Sequence, residues 1–597
     1  MSNALEQASL IMVPSGYEDG TLGSLKPTDG SGDFTFSRCD GAAQCDLAAT
    51  RVNADGNIEK GYENRLLQSN QFDTTWVLVN DATLASGQTG YDGSSDAWLA
   101  EKSASSNSHL RQNISISGVY TFSLYAKSNT LNGILIQTRG ESTKSFQLNL
   151  STGAIGDTTS DIDSKIEDVG DGWWRISLTG NDSGITQVRI FICEDENNFG
   201  TIAGSIYIQD AMLNQGMVAY PYIETTTASV AGGILEDMPR LDYSNGSCPS
   251  LLLEPSRTNL VAHSEYFDYL LNGDAVSLDY NNLLSPEGYV NAVKCTPRAV
   301  SALNRLEYQV TLSVPKTYTF SMFAKENGYD YFLLRFVGTS AGGVNASFNL
   351  ATGEKDYTSS GIESTIEPYA NGWYRLSVTM SVTSSLLRTF FRPQPSAQLD
   401  DSIGTYTGNG TSGCYIYGLQ LEQDATYPTS YIPTYGVSQT RLVDNCHLIN
   451  GASLPTAYPF TIYAEVPVVN GISADAVAFS NTLRNDEYYL LGYYNNRFAF
   501  ALRPNRIITE IVSSSIYGSG THKVAVVVTD SSAELFVNGT SQAVTSTIEA
   551  FNSLIDDVLI GQLRILSDLG RRNSVKQLTI FPTALSDEEC IALTTIS

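Results

Sequence analysis

Residues 120–127, Tyr-Thr-Phe-Ser-Leu-Tyr-Ala-Lys, return at 318–325 as Tyr-Thr-Phe-Ser-Met-Phe-Ala-Lys, an offset of 318 − 120 = 198. Further landmarks follow in the same order. Leu150-Ser151-Thr152-Gly153 reappears as Leu350-Ala351-Thr352-Gly353, and Gly172-Trp173-Trp174-Arg175 as Gly372-Trp373-Tyr374-Arg375. Ile206-Tyr207-Ile208 with Tyr220-Pro221 is echoed by Tyr415-Ile416-Tyr417 with Tyr427-Pro428. A repeat of roughly 170–190 residues is far longer than a solenoid unit, so each copy is expected to own a core. Duplicating a whole domain builds surface and reach. Single-site chemistry has little need of it.

The repeated segments read as β-structure. Tyr120–Tyr125, Gly133–Thr138, Ser145–Leu150, Trp173–Leu178, Thr186–Ile192 and Ser205–Ile208 alternate apolar with polar residues and are separated by Gly, Asn, Asp and Ser. Composition agrees, with 33 Tyr, 49 Gly and only 16% charged residues among 597. Six such strands per copy imply a β-sandwich, with jelly-roll topology favoured. The expected fold is all-β, divided into residues 1–62, a core-poor segment; 63–225, the first copy; 226–255, a linker; 256–436, the second copy; and 437–597, a further β region. In the last part Phe460–Val466 alternates, Asn538-Gly539 marks a turn, and Ser586 caps a short helix.

Several function classes are disfavoured. Net charge is −28, from 35 basic and 63 acidic residues, which argues against nucleic acid as a partner. No apolar run of about 18 residues is present to span a membrane. The start lacks a basic region followed by an apolar core, so no signal peptide is expected. The eight Cys are scattered without zinc spacing, and free thiols are expected. The four His, at 109, 263, 447 and 522, sit in no nucleophile-elbow context, and no phosphate loop occurs. No catalytic residue, metal ligand or cofactor is expected. Trp173, Trp174, Trp373 and Tyr374 could stack on sugar rings, but their equivalence between copies favours a core role. Tyr493 and Tyr494 read as a hairpin tip between Tyr488–Gly492 and Arg497–Leu502, and are the candidate ligand contacts.

Three groups of motifs carry a family resemblance. The first is Ser9-Leu10-Ile11-Met12-Val13-Pro14-Ser15-Gly16-Tyr17, Gly30–Arg38 and Ala49–Gly56. The second is Met238-Pro239-Arg240-Leu241-Asp242-Tyr243 with Leu251–Leu260. The third is Gln420-Leu421-Glu422 followed by Tyr427–Thr434. Together they resemble phage virion fibre and spike proteins, with head fibres of crAss-like phages and tail fibres among the forms. The duplicated domains resemble jelly-roll carbohydrate-binding modules. His522–Val526, Leu535–Gly539 and Leu578–Glu589 resemble concanavalin A-like (laminin G-like) domains. The resemblance departs at Cys39–Cys45, which replaces a Ser/Thr-rich break. It implies a non-enzymatic homotrimer on a virion assembled in the bacterial cytoplasm. Residues 1–62 would attach to other virion proteins and order only on the particle, with the β domains contacting host-surface glycans. A tail-fibre receptor-binding role, a capsular depolymerase and a secreted adhesin are the alternatives. The second predicts a β-helix repeat and the third a signal peptide, and neither is seen.

Overall fold

The computed structural model describes residues 5–596 apart from 19, 39–45, 105–106, 160–161, 235–236, 245, 450, 452–453, 456, 482–483, 504–507, 547–555 and 562–572. The Cys39–Cys45 departure therefore lies outside the described residues. The chain is all-β, built as sandwiches around three main cores. No described helix is long and apolar enough to cross a membrane. The helix Asp587–Thr594 starts at Ser586, whose hydroxyl accepts from Glu589 N while the Glu589 carboxylate accepts from Ser586 N, closing both ends of a capping box.

The copies repeat down to single hydrogen bonds. Phe122 pairs across to Leu178 and Leu213, and Phe320 to Val378 and Leu421. The Thr121 and Thr179 hydroxyls meet at 2.9 Å, and those of Thr319 and Thr379 at 2.8 Å. Buried Asn64 donates to the carbonyls of Ala211 (3.1 Å) and Ile223 (2.9 Å) and accepts from Leu66 N and Leu213 N. Asn259 does the same with Leu419 O, Ile432 O, Val261 N and Leu421 N. One side chain thus ties the entry strand of each copy to its last strand. In the first copy, Trp173–Leu178 and Thr186–Ile192 are parts of one long strand, Trp173–Cys193, which spans both layers. In the second copy the corresponding strands, Trp373–Val382 and Leu386–Gln394, stay separate.

The N-terminal segment differs most from expectation. Leu10–Glu18, Thr21–Lys26 and Phe34–Ser37 are strands of the C-terminal sandwich. Leu10, Ile11 and Met12 face Ile580, Thr579 and Leu578, while Phe36 faces Cys446. The three strands fill the gap between Gln577–Phe581 and Asn445–Ile449, and Leu10, Met12, Leu22, Phe34 and Phe36 join the core there. The segment has little apolar surface of its own, so it orders by completing another domain's sheet. Gln439–Arg441, read as the start of the last domain, pairs instead with Arg257–Asn259 of the second copy.

The chain then crosses a buried ionic hub. Arg240 donates to Glu254 (2.9 Å) and to Asp444. Arg441 reaches Glu254 at 3.0 Å, and Arg38 reaches Asp444 at 3.2 Å. Every one of these side chains is removed from solvent. The hub joins the N-terminal segment, the linker and the stretch that follows the second copy.

Candidate functional site

Period-two strands give each sandwich sheet an inner face and an outer face. In the first copy, Tyr120, Phe122 and Leu124 point into the core while Tyr125 points out, beside Trp173 and Tyr207. The loop after Gln88 folds Tyr91 back onto this outer face. The Tyr91 ring stacks on Tyr125, with centroids 3.7 Å apart and planes at 5°. Tyr91 and Tyr207 flank Trp173 at 6.4 Å and 6.3 Å. Trp173 is 2% exposed, as its repeat across copies suggested, but Tyr91 and Tyr207 remain half-exposed. Arg175 lies 5.5 Å from the Tyr125 ring centroid. This is an aromatic platform with a cation at its border, a surface on which sugar rings can stack.

Tyr91 is held by a buried acid. Its hydroxyl donates to Asp210 at 3.1 Å. Burial pushes the Asp210 carboxyl up to about 7, and Asp96 and Asp92 add to that, while hydrogen bonds from Tyr91 and Tyr222 oppose it. Gln209 carries the same loop, accepting from Tyr91 N at 3.1 Å and donating to Asp96 at 2.8 Å.

The equivalent face of the second copy is covered at its centre, while Tyr415, the counterpart of Tyr207, stays half-buried at its edge. Phe323, Trp373 and Tyr417 occupy the positions of Tyr125, Trp173 and Gln209, and all three are fully buried. Ile58 and Tyr431 cover them. Beside them Lys60 enters, donating to Glu265 (2.7 Å) and the Tyr417 hydroxyl (2.9 Å) and pairing with Glu287. The N-terminal segment packs on this face of the second copy through Ile58 and Lys60.

Tyr493 and Tyr494 do not form a tip. The turn is only Asn495-Asn496, both with positive φ (51° and 62°), so both tyrosines belong to the strand Arg484–Tyr494. Strand alternation then sends Tyr493 into the core at 1% exposure, where its hydroxyl donates to Tyr517 O at 2.6 Å. Tyr494 turns to the opposite face, half-buried, and donates to buried Asp475. Tyr493 is therefore withdrawn as a ligand contact, and Tyr494 is committed to an internal bond. Sequence reasoning missed Tyr91 and Tyr207. A signal for Tyr207 existed: in Ile206-Tyr207-Ile208 the flanking isoleucines fill the core, so the tyrosine must face out.

Other features are structural. Trp174 donates to Leu150 O at 2.8 Å and packs on Gly153, where a Cβ would come within 2.9 Å of its ring. Tyr374 packs on Gly353 in the same way, which accounts for the paired recurrence of these motifs. His522 lies between Gly518 O and Asn538. Among the described residues no group of His, Cys, Asp or Glu could hold a metal ion, and the thiols of Cys193, Cys248, Cys295, Cys414, Cys446 and Cys590 are free. A cleft of about 520 Å³ opens where Tyr243, Glu367 and Tyr369 meet Pro467 and Ile472.

No protein-family model and no curated protein matches this sequence. Among solved structures, the chain is similar to the CBM40 of Ruminococcus gnavus IT-sialidase bound to α2,3-sialyllactose, at 21% identity over 24% of this chain and 86% of that one, with a TM-score of 0.22. A leech intramolecular trans-sialidase matches at 20% identity over 25% of each chain, with a TM-score of 0.22. The receptor-binding domain of botulinum neurotoxin mosaic serotype C/D matches at 12% identity over 25% of this chain and 39% of that one, with a TM-score of 0.21.

Proposed function

We propose that this protein is a non-catalytic, glycan-binding fibre or decoration protein of a phage virion, with a head fibre favoured over a tail fibre, assembled as a homotrimer in the bacterial cytoplasm. The observation that carries glycan binding is the divergence between two equivalent faces. The second copy's face is covered at its centre by Ile58, Tyr431 and the Lys60 cluster. The first copy's face keeps Tyr91 half-exposed beside Trp173 and stacked on Tyr125, with Tyr207 at its edge as Tyr415 is in the second copy. An aromatic surface flanked by polar groups, free of a catalytic constellation, suits stacking on saccharide rings. Virion attachment rests on the sequence motifs of residues 9–56, 238–260 and 420–434. Weak single sites are sufficient in such a role, since displaying several copies raises apparent affinity about 10²–10⁴-fold.

The test is a glycan array with the full chain and with Tyr91→Ala/Tyr207→Ala. Binding to neutral host-surface glycans should fall at least about tenfold in the double variant, as expected for the loss of two ring contacts. Equal binding by both proteins would remove this face from consideration. Cryo-electron microscopy of the particle tests position, and density for this chain at the tail tip would overturn the head assignment.

A further inference from the structure

Comparison of the copies marks a second place. In the first copy Leu135 faces Phe191 across neighbouring strands, and in the second copy Leu333 faces Arg392. The adjacent inward pairs, Ile136 with Ile190 and Leu334 with Phe391, confirm the equivalence. Phe191 is 6% exposed and its site is full. His109 stacks on it at 4.4 Å, Phe199 meets it edge-on at 5.6 Å, and Leu135 and Cys193 complete the cluster.

Arg392 is also 6% exposed, yet its site is not full. It lines a pocket of about 290 Å³. Its guanidinium lies 4.7 Å from the Tyr406 ring centroid. Among the described residues no carboxylate pairs with Arg392 within 4.0 Å, and its Nε has no hydrogen-bond partner. The acids nearby are already engaged. Asp400, in the wall, accepts from Ser402 N at 2.8 Å and from the Ser402 hydroxyl. Asp401 accepts from the Tyr357 hydroxyl at 3.2 Å and from Ser359. Other cations are close. Arg305 and Arg388 stack on Phe390 at 4.2 Å and 5.2 Å, while Arg335 donates to Asn345 (2.9 Å) and to Asp401 O (2.8 Å).

A buried charge without a counterion is costly, and native structures pair such groups. The fold itself does not need an arginine here, because the first copy fills the position with Phe191. What the second copy gains is a cationic donor lining a pocket that also carries Gln394, Gln398, Asp400, Ser402 and Thr405, with the Gln398 amide nitrogen donating to Asp400 O and Ser402 O (2.6 Å each) and its oxygen left as an acceptor. A planar guanidinium matches a carboxylate with two parallel hydrogen bonds. Amides and hydroxyls match a hydroxylated body. The pocket sits at the small end of ligand sites, which suits a single ring.

We propose that this pocket of the second copy binds an acidic saccharide unit, its carboxylate on Arg392 and its hydroxyls on the amide and hydroxyl wall. The site lies apart from the aromatic face and does not depend on it. Titration calorimetry on the full chain would use glucuronate, galacturonate and N-acetylneuraminate, with glucose, galactose, sulfate and phosphate alongside. At least one acidic sugar should bind about tenfold or more tighter than the neutral hexoses, because a charge-assisted pair is gained. Arg392→Phe, which installs the first copy's residue, should abolish that preference while leaving the thermal midpoint near wild type, and Arg392→Lys should retain part of it. Should Arg392→Phe fold poorly, Arg392→Gln gives the same reading. Equal binding of acidic and neutral sugars, or an acidic preference surviving in these variants, would overturn the assignment. Sulfate or phosphate binding as tightly as the best acidic sugar would do so too, and would mark a non-specific anion site. Tyr91→Ala/Tyr207→Ala should leave the acidic preference unchanged, which separates failure of this site from failure of the aromatic face.

Discussion

Asp210 shows how one buried group ties stability to the candidate platform. Its carboxyl is shifted from 3.8 to about 7, chiefly by burial. The groups facing it are Tyr91, Tyr222, Asp92 and Asp96. Between about pH 4 and 7 the folded protein holds a proton that the unfolded chain has released, so stability falls as pH rises through this window. Below it both states are protonated, and above it both are ionised. A shift of this size corresponds to roughly 2–4 kcal/mol across the window. We expect the wild-type thermal midpoint to drop between pH 5 and pH 8 by more than that of Asp210→Asn, which cannot titrate. Parallel curves for the two proteins would show that Asp210 does not carry the dependence. The signal could not be read from sequence, because 63 acids make any single Asp inconspicuous. Arg392 was hidden for the same reason: an Arg on an alternating strand reads as a solvated face until its burial is known.

At the scale of elements, the sequence pattern identified strands but not their partners. Alternation in Thr186–Ile192 correctly reports which face is buried, with Val188, Ile190 and Ile192 in the core. It carries no information on which strand lies beside it. The apolar piece around Leu10–Val13 is a real strand, and its partner, Gln577–Phe581, lies near the other end of the chain. No local pattern encodes a pairing at that separation. The hairpin at 484–502 failed for a different reason. Tyr-Tyr-Asn-Asn was read as a four-residue loop, whereas two Asn in the left-handed region close the turn alone and carry Tyr493 into the core. A consequence follows for the C-terminal sandwich. Without residues 10–37 its sheet is interrupted between Gln577–Phe581 and Asn445–Ile449, exposing two unpaired edges and removing Leu10, Met12, Leu22, Phe34 and Phe36 from the core. Residues 445–597 expressed alone should show no cooperative thermal transition, and co-expression with residues 5–37 should restore one. A sharp transition in the fragment alone would mean that the N-terminal strands merely decorate a self-sufficient fold.

For the whole molecule, the N-terminal segment acts as a thread through every body. It pairs with the C-terminal sandwich at Leu10–Ser37, enters the hub at Arg38, covers the second copy at Ile58 and Lys60, and opens the first copy at Asn64. The copies also touch directly, through Val119 N to Tyr435 O (2.8 Å) and Lys165 to Val290 O (2.6 Å). The hub is where the thread can be cut. Glu254 accepts from Arg240, Arg441, Ser430 N (2.8 Å) and the Ser430 hydroxyl (2.6 Å). Replacing it by Ala removes the carboxylate that Arg240 and Arg441 share, with both guanidinium groups out of water. Breaking a buried pair from one side costs about 3–5 kcal/mol, because the stranded charge has no solvent to relieve it. Lys316, paired with Asp424 at an exposed site, is the control, and its loss should cost no more than about 1 kcal/mol. Scanning calorimetry should therefore show one main transition for wild type and Lys316→Ala, and two for Glu254→Ala as the C-terminal sandwich separates from the duplicated domains. A single, merely lowered transition in Glu254→Ala would mean that the direct contacts, rather than the hub, hold the bodies together.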